Sequence, residues 1–440
     1  MRRAVGCGID LGTSNSSVSV AYEDGSVDVV SVGPNHGSTT LPSYALLHRN
    51  GDRQAGANAI RQYLLTGANR TQCYGCDRRF GRASEGRTPC REQQPGGACN
   101  DARFIYGLKL DLTNEWLNTT HSWGFDFSIA EILAILLRTL KLAAERHAGT
   151  ETANVVLGIP FGFVGAEEGE FEYQQRLAIS RLVDGCELAG FVEVETLYEP
   201  EAAGQLAEPP PGLTAVVDFG GGTFDVAVLE KSIGGSLVTA KALQGAAVGG
   251  TDFDGLLFDH YVWHQLGPEK RHLGEYWRHL RTLHGVRFLL ADVRFGHLLA
   301  RLRRQGVDTG SIEEIVYGGR AYDFYRTIES AKHALSFDDR ATIAFHRPGI
   351  SVEATIFRTD FEQLIEPCLH RVESAIDAAL DEARVSGYDI DGVMVTGGTS
   401  YIPAFRDLIR EKFPRAAELP LPPFTAVAEG LGRRAAALWA

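Results

Sequence analysis

The chain has 440 residues, 44% of them hydrophobic and 22% charged, with a formal net charge of −13. That length holds two or three domains with sizeable cores. The acidic balance argues against broad binding to nucleic acid or to an anionic membrane surface. Arg2 and Arg3 lead into a short strand pattern, not into an apolar run with a cleavage site, so no signal peptide is read there and a cytoplasmic location is expected.

Strand patterns start at Val5, Val18 and Val27. Between the first two lies Gly8-Ile-Asp-Leu-Gly-Thr-Ser-Asn15, an apolar strand that ends in Asp10 and passes through a glycine turn to Thr13. Residues 35–110 read as polar and irregular, Gly- and Arg-rich from Gly67 to Gly97. Ser128 and Glu131 have the spacing of a capping box for a helix over 129–147. That helix carries Glu131, Arg138 and Lys141 and is too short and too charged to span a bilayer. A strand over Asn154–Pro160, a helix around 168–189, a strand at Val192 and a turn over Tyr198–Gly204 follow. The run Pro209–Gly212 marks a boundary, because proline cannot continue a helix or a central strand. Next comes Val217-Asp-Phe-Gly-Gly-Gly-Thr-Phe-Asp225, a second strand, Asp218, glycine turn and Thr223. Residues 255–335 read as mostly helical. A hairpin over Ala341–Ile356, a long helix over Thr359–Val385, a strand Gly392–Thr396 ending in Gly397-Gly398, a helix near Ile402 and a last helix over Ala426–Trp439 complete the α/β pattern.

The two Asp–Gly–Thr hairpins read as versions of each other, with Asp10 and Asp218 standing 208 positions apart. Glycine lets a backbone approach phosphate oxygens and turn its N–H groups toward them. Aspartate suits a hydrated Mg²⁺, and the threonine hydroxyl suits a phosphate. Two such hairpins imply two similar domains clamping one nucleotide. Four of the seven cysteines, Cys73, Cys76, Cys90 and Cys99, fall in a segment with little apolar content beyond Phe80. Burial cannot fold such a segment, which points to a staple. A structural Zn²⁺ leads in a cytosolic protein, with disulfides and free thiols as the other readings.

Five segments, in one order along the chain, resemble the 70-kDa heat-shock proteins of the DnaK type: the first hairpin; Glu199-Pro-Glu-Ala-Ala203; Gly249-Gly-Thr-Asp-Phe-Asp254; Glu329-Ser-Ala-Lys-His-Ala-Leu-Ser336; and Val395-Thr-Gly-Gly-Thr-Ser-Tyr-Ile-Pro403. Within that family the YegD-like short subgroup looks closest. The resemblance implies a two-lobed actin-like ATPase fold, with duplicated ribonuclease-H-like domains. The first lobe would cover 1–208 with a Cys-rich insert at about 66–101. The second would cover 209–440, with a helical subdomain at about 255–328 and the final helix packing back on lobe one.

By the same resemblance Asp10 and Asp218 hold Mg²⁺ through water. Gly12, Thr13, Ser14, Asn15, Gly220, Gly221, Gly222 and Thr223 cradle the phosphates, with Gly249 and Gly250 beside them. Lys109 reaches the γ-phosphate, Glu199 orients the attacking water and Asp225 assists. Glu329, Lys332 and Ser336 bind ribose and adenine, Gly397 and Gly398 pass close to the α-phosphate and sugar with Thr399 also among the nucleotide-binding residues, and His333 and Tyr401 flank the base where the family has arginines. The expected ligands are ATP/ADP and Mg²⁺, with Zn²⁺ for the insert; protein clients or a co-chaperone are the expected partners. A slow ATPase switch without the family's peptide-binding domain is the leading function. A non-catalytic nucleotide-gated scaffold or filament former, and a small-molecule kinase on the same fold, are the alternatives.

Overall fold

The structure is a computed structural model that describes residues 2–33, 37–48, 50–65, 102–122, 125–163, 171–206, 211–232, 238–422 and 424–440. The cysteine insert, with Cys73, Cys76, Cys90 and Cys99, lies outside the described residues.

Lobe one starts with β1 (Ala4–Leu11), β2 (Asn15–Tyr22) and β3 (Val27–Val29), an antiparallel run, and β4 (Leu41–Pro42) pairs with the outer end of β2. Strands β5 (Tyr44–His48), β6 (Arg53–Ala55) and β7 (Ala102–Tyr106) form a separate three-stranded sheet, with the helix Gly56–Leu65 against it. The sequence pattern reads this stretch as irregular. Its strands have three to five residues, and β7 pairs with a strand more than fifty positions earlier, so no local alternation reveals them. A small hairpin, β8 (Thr119–Ser122) with β9 (Phe125–Ser128), leads into the helix Ile129–Ala148, which starts on the Ser128–Glu131 capping box. Strands β10 (Asn154–Ile159) and β11 (Glu193–Tyr198) add in parallel to β1, giving the order β11-β10-β1-β2-β3.

Lobe two repeats the plan. Strands β12 (Gly212–Phe219), β13 (Phe224–Lys231) and β14 (Val238–Ala246) run antiparallel. After helices and the hairpin β15 (Arg340–Arg347) with β16 (Ile350–Phe357), β17 (Gly392–Thr396) and β18 (Ala417–Leu419) add in parallel to β12. The order β14-β13-β12-β17-β18 is that of lobe one, with three antiparallel strands and then two parallel ones. This duplicated sheet is the two-lobed actin-like α/β fold. The central strands β1 and β12 are largely buried, as strands covered on both faces must be.

The helix Ala426–Trp439 crosses from lobe two and lies along β1, β2 and β10. It sits at backbone distance: a side chain on Gly8 would overlap the backbone of Ala428 and Gly432. Ser19 Oγ donates to the Ala428 carbonyl at 2.6 Å. A shared core of small residues, among them Ala21, Ala202, Ala203, Ala227 and Ala435, joins the two lobes through this helix.

Candidate functional site

A cleft of about 730 Å³ separates the lobes, and both hairpin turns open into it. The first turn joins β1 to β2 at Gly12–Ser14. Ser43 holds it, donating its N–H to the Ser14 carbonyl at 2.8 Å and its hydroxyl to that of Gly12 at 2.8 Å. The second joins β12 to β13 at Gly220–Gly222. Its carbonyls are taken up from behind: Gly220 O accepts from Thr399 Oγ1 at 2.7 Å, and Gly221 O accepts from the N–H and hydroxyl of Thr251, each at 2.8 Å. Gly397 has φ +86°, and any side chain there would run into the Phe219 carbonyl and the Asp218 carboxylate. Three loops from distant parts of the chain therefore meet at one glycine-lined point.

At the floor, Asp10, Glu199 and Asp218 line the cleft, and Asp225 is buried behind them. Lys109 from lobe one donates to Glu199 Oε1 at 2.6 Å, both side chains being under a tenth exposed. Asp225 Oδ1 accepts from the N–H groups of Phe161 at 2.9 Å and Gly162 at 3.3 Å. Burial, with Glu199 and Asp225 nearby, pushes the Asp218 carboxyl up to about 8. Burial and Glu199 push Asp225 up to about 7. Asp10 is raised well above the usual carboxylate range by burial, then by Glu199. Burial opposes charge on Lys109, but Glu199 and Asp10 outweigh it and raise its pKa, so the ammonium stays protonated. Four carboxylates against one ammonium make a floor that favours a cation, and carboxylate oxygens suit a hard one that keeps its waters, such as Mg²⁺. Among the described residues no group of three or more His, Cys, Asp or Glu is arranged to enclose a metal directly.

The far end of the cleft is walled by the helix Ala321–Leu335. Glu329, Lys332, His333 and Ser336 share its cleft face at i, i+3, i+4 and i+7 spacing. Lys332 is engaged there: Nζ donates to the Gly250 carbonyl at 2.8 Å and to Asp254 Oδ2 at 2.9 Å, tying the helix to the Gly249–Gly250 turn. Glu329 pairs with Arg326 at 2.5 Å. Gly397, Gly398 and Thr399 line the cleft as well.

The structure thus brings Gly12, Thr13, Ser14, Asn15, Thr223 and Gly250 into one cleft with the acids, Lys109 and the Ala321–Leu335 helix. Three expected residues do not line it: Asp225, Gly249 and Tyr401. Asp225 is 1% exposed, behind the floor. Gly249 precedes the helix Gly250–Leu257 as its N-cap. Tyr401 packs between Phe337 and Phe424, with ring centroids at 5.7 and 6.4 Å, and Phe424 takes the cleft position in front of it. Tyr44, Tyr106, Arg281, His284 and Phe424 also line the cleft, and none of them is among the expected site residues. None belongs to one of the five family-like segments, and each arrives through the tertiary fold.

A sequence profile of the family described as Hsp70 protein matches residues 6–273 and 321–439. Among curated proteins, the chain is 28% identical over 417 residues to "Heat shock 70 kDa protein BIP3" of Oryza sativa subsp. japonica, covering 92% of this chain and 52% of that one. It is 27% identical to "Chaperone protein dnaK3" of Thermosynechococcus vestitus, covering 98% and 55%. It is 29% identical to "Chaperone protein HscA homolog" of Burkholderia pseudomallei, covering 98% and 58%. The chain spans a little over half the length of these relatives.

Proposed function

The chain belongs to the Hsp70 family, and from that premise we propose that it binds Mg²⁺-complexed ATP between its lobes and hydrolyses it slowly, as a chaperone-like nucleotide switch. The observation that carries this reading is the pair of like hairpin turns facing one cleft over a floor of buried acids around Lys109.

Asp10 and Asp218 would hold the Mg²⁺ through its waters; that cation, when bound, supplies charge neutralisation for the phosphates. The glycine turns and Thr13 and Thr223 orient the phosphates. Lys109 is a protonated donor at the floor and would shift from Glu199 toward the γ-phosphoryl as negative charge gathers there. Glu199, which lines the cleft, supplies a carboxylate oxygen for the proton of an attacking water, and Asp225 assists from behind the floor through its charge. Phosphoryl transfer of this kind needs positioning and electrostatic stabilisation more than covalent chemistry. His333 and Phe424, with Tyr401 behind it, would flank the base by their ring faces. Two of the relatives are named chaperone proteins, which supports a chaperone-like role, and protein clients or a co-chaperone are the partners this reading calls for.

Calorimetry with Mg·ATP and a phosphate-release assay test this. Asp10→Asn and Thr223→Ala should each lower turnover by about 10²–10³, the usual cost of removing a charge-positioning group. Wild-type turnover in both variants would overturn the assignment. Binding without phosphate release would favour the scaffold reading, and release only with an added hydroxyl acceptor would favour a kinase.

A further inference from the structure

Residues 274–320 lie outside the stretches that match the family profile, yet they are built into lobe two. Leu280, Val286, Leu289, Phe295, Leu302 and Ile315 from this segment sit in the lobe-two core. The segment also faces the cleft through Arg281–His284.

From here a contact reaches across to lobe one. The Asp111 carboxylate, 4% exposed, receives the guanidinium of Arg287 on one oxygen and stands 3.3 Å from His284 Nε2 on the other. Arg287 Nη1 also donates to the Tyr106 carbonyl at 3.4 Å. Asp111 closes the single 3₁₀ turn Leu108–Asp111 that carries Lys109, and Tyr106 ends the strand that leads into it. One guanidinium from lobe two thus brackets the Lys109 turn on both sides. Within lobe one the buried Arg181 holds the following loop. Its guanidinium donates to the carbonyls of Asp111, Leu112, Asn114 and Leu117 and to Asn118 Oδ1, at 2.7–3.2 Å. The partners of Arg181 all belong to lobe one, whereas the contacts of Arg287 with Asp111 and Tyr106 cross between the lobes.

We propose that Arg287, with His284 beside it, is a positioning residue that holds the Lys109 turn in register through Asp111 and the Tyr106 carbonyl, so that the lysine is correctly placed only when the segment 274–320 has closed on lobe one. This rests on the reading above that Lys109 serves the γ-phosphate. A side chain carried by lobe two alone would then couple closure of the cleft to chemistry in lobe one.

The test uses the full chain with ATP pre-bound, followed in a single turnover, together with release of a fluorescent ADP analogue. Arg287→Gln should slow the single turnover by about tenfold to a hundredfold, the scale of a small misplacement at a reacting centre, and should speed ADP release. Arg287→Lys keeps the charge but cannot reach both Tyr106 and Asp111, and should fall between; it carries the same test if the glutamine variant does not fold. Because Arg287 acts through Lys109, Arg287→Gln added to Lys109→Ala should slow turnover no further. Multiplying effects in that double variant, or unchanged turnover and release in Arg287→Gln, would overturn the proposal. A wild-type protein that binds no ATP by calorimetry would instead bring down the nucleotide reading itself, and this proposal with it.

Discussion

Asp225 is an acid of lobe two whose hydrogen bonds come from lobe one, the N–H groups of Phe161 and Gly162. Its carboxyl is raised to about 7, first by burial and then by Glu199. In an unfolded chain an Asp titrates near 3.9, so over the interval between, the folded state keeps a proton that the unfolded state has lost. The stability this provides is complete below about pH 4 and is lost as the pH rises through about 7. Roughly three pK units correspond to about 4 kcal/mol, as an order of magnitude. The nucleotide-free protein should therefore melt at a lower temperature at pH 8 than at pH 5, and Asp225→Asn should shrink that difference. Thermal melts of both proteins at the two pH values measure it; equal slopes would show that Asp225 is not the group concerned. Residues of this kind were legible where a motif carried them, as with Asp218 and Thr223 in their glycine hairpin. Arg287 had no such signal, because what matters about it is its partner Asp111, 176 positions away in sequence.

Among the elements, the helix Ala426–Trp439 shows how packing can reverse a local preference. Gly430 stands inside this helix, where Ala is intrinsically better by about 1 kcal/mol. A methyl group there would overlap the Ala202 carbonyl on the helix Glu199–Gly204. Gly296 stands inside the helix Val293–Arg304, and a methyl group there meets only the Tyr317 hydroxyl, at 3.4 Å. Gly430→Ala should destabilise the protein by about 1–3 kcal/mol, as overpacking does, while Gly296→Ala should be neutral or stabilise it by up to about 1 kcal/mol. Urea unfolding of the two variants checks the opposite signs. The elements that sequence alone revealed are those with local signals: the capping box at Ser128, the alternation of β15 and β16, the glycine hairpins. The sheet β6-β5-β7 escaped because its strands are short and the pairing of β5 with β7 is long-range.

On the scale of the whole molecule, the fold was legible because the chain repeats itself: two similar hairpins imply two similar sheets, and both sheets have the same strand order. What the repeat could not show is the contact of segment 274–320 with lobe one, which has no counterpart in the repeat. Since the acids of both lobes face one cleft, ligand and cation should stabilise the pair together. At about a hundred times its dissociation constant, Mg·ADP should add about 2.7 kcal/mol to unfolding, and a chelator should remove most of that gain; a melting temperature indifferent to the chelator would show that the acids do not serve a metal. The helix Ala426–Trp439 has a further consequence, for how the protein is made. It covers a face of β1 and β2, yet Ala426 comes 404 positions after Tyr22. At about 5–20 residues per second, the ribosome needs about 20–80 seconds to deliver the helix to strands already waiting for it. Throughout that time the face of the lobe-one sheet that this helix covers lacks it, so a protein of a chaperone family passes its own synthesis with part of its apolar surface exposed.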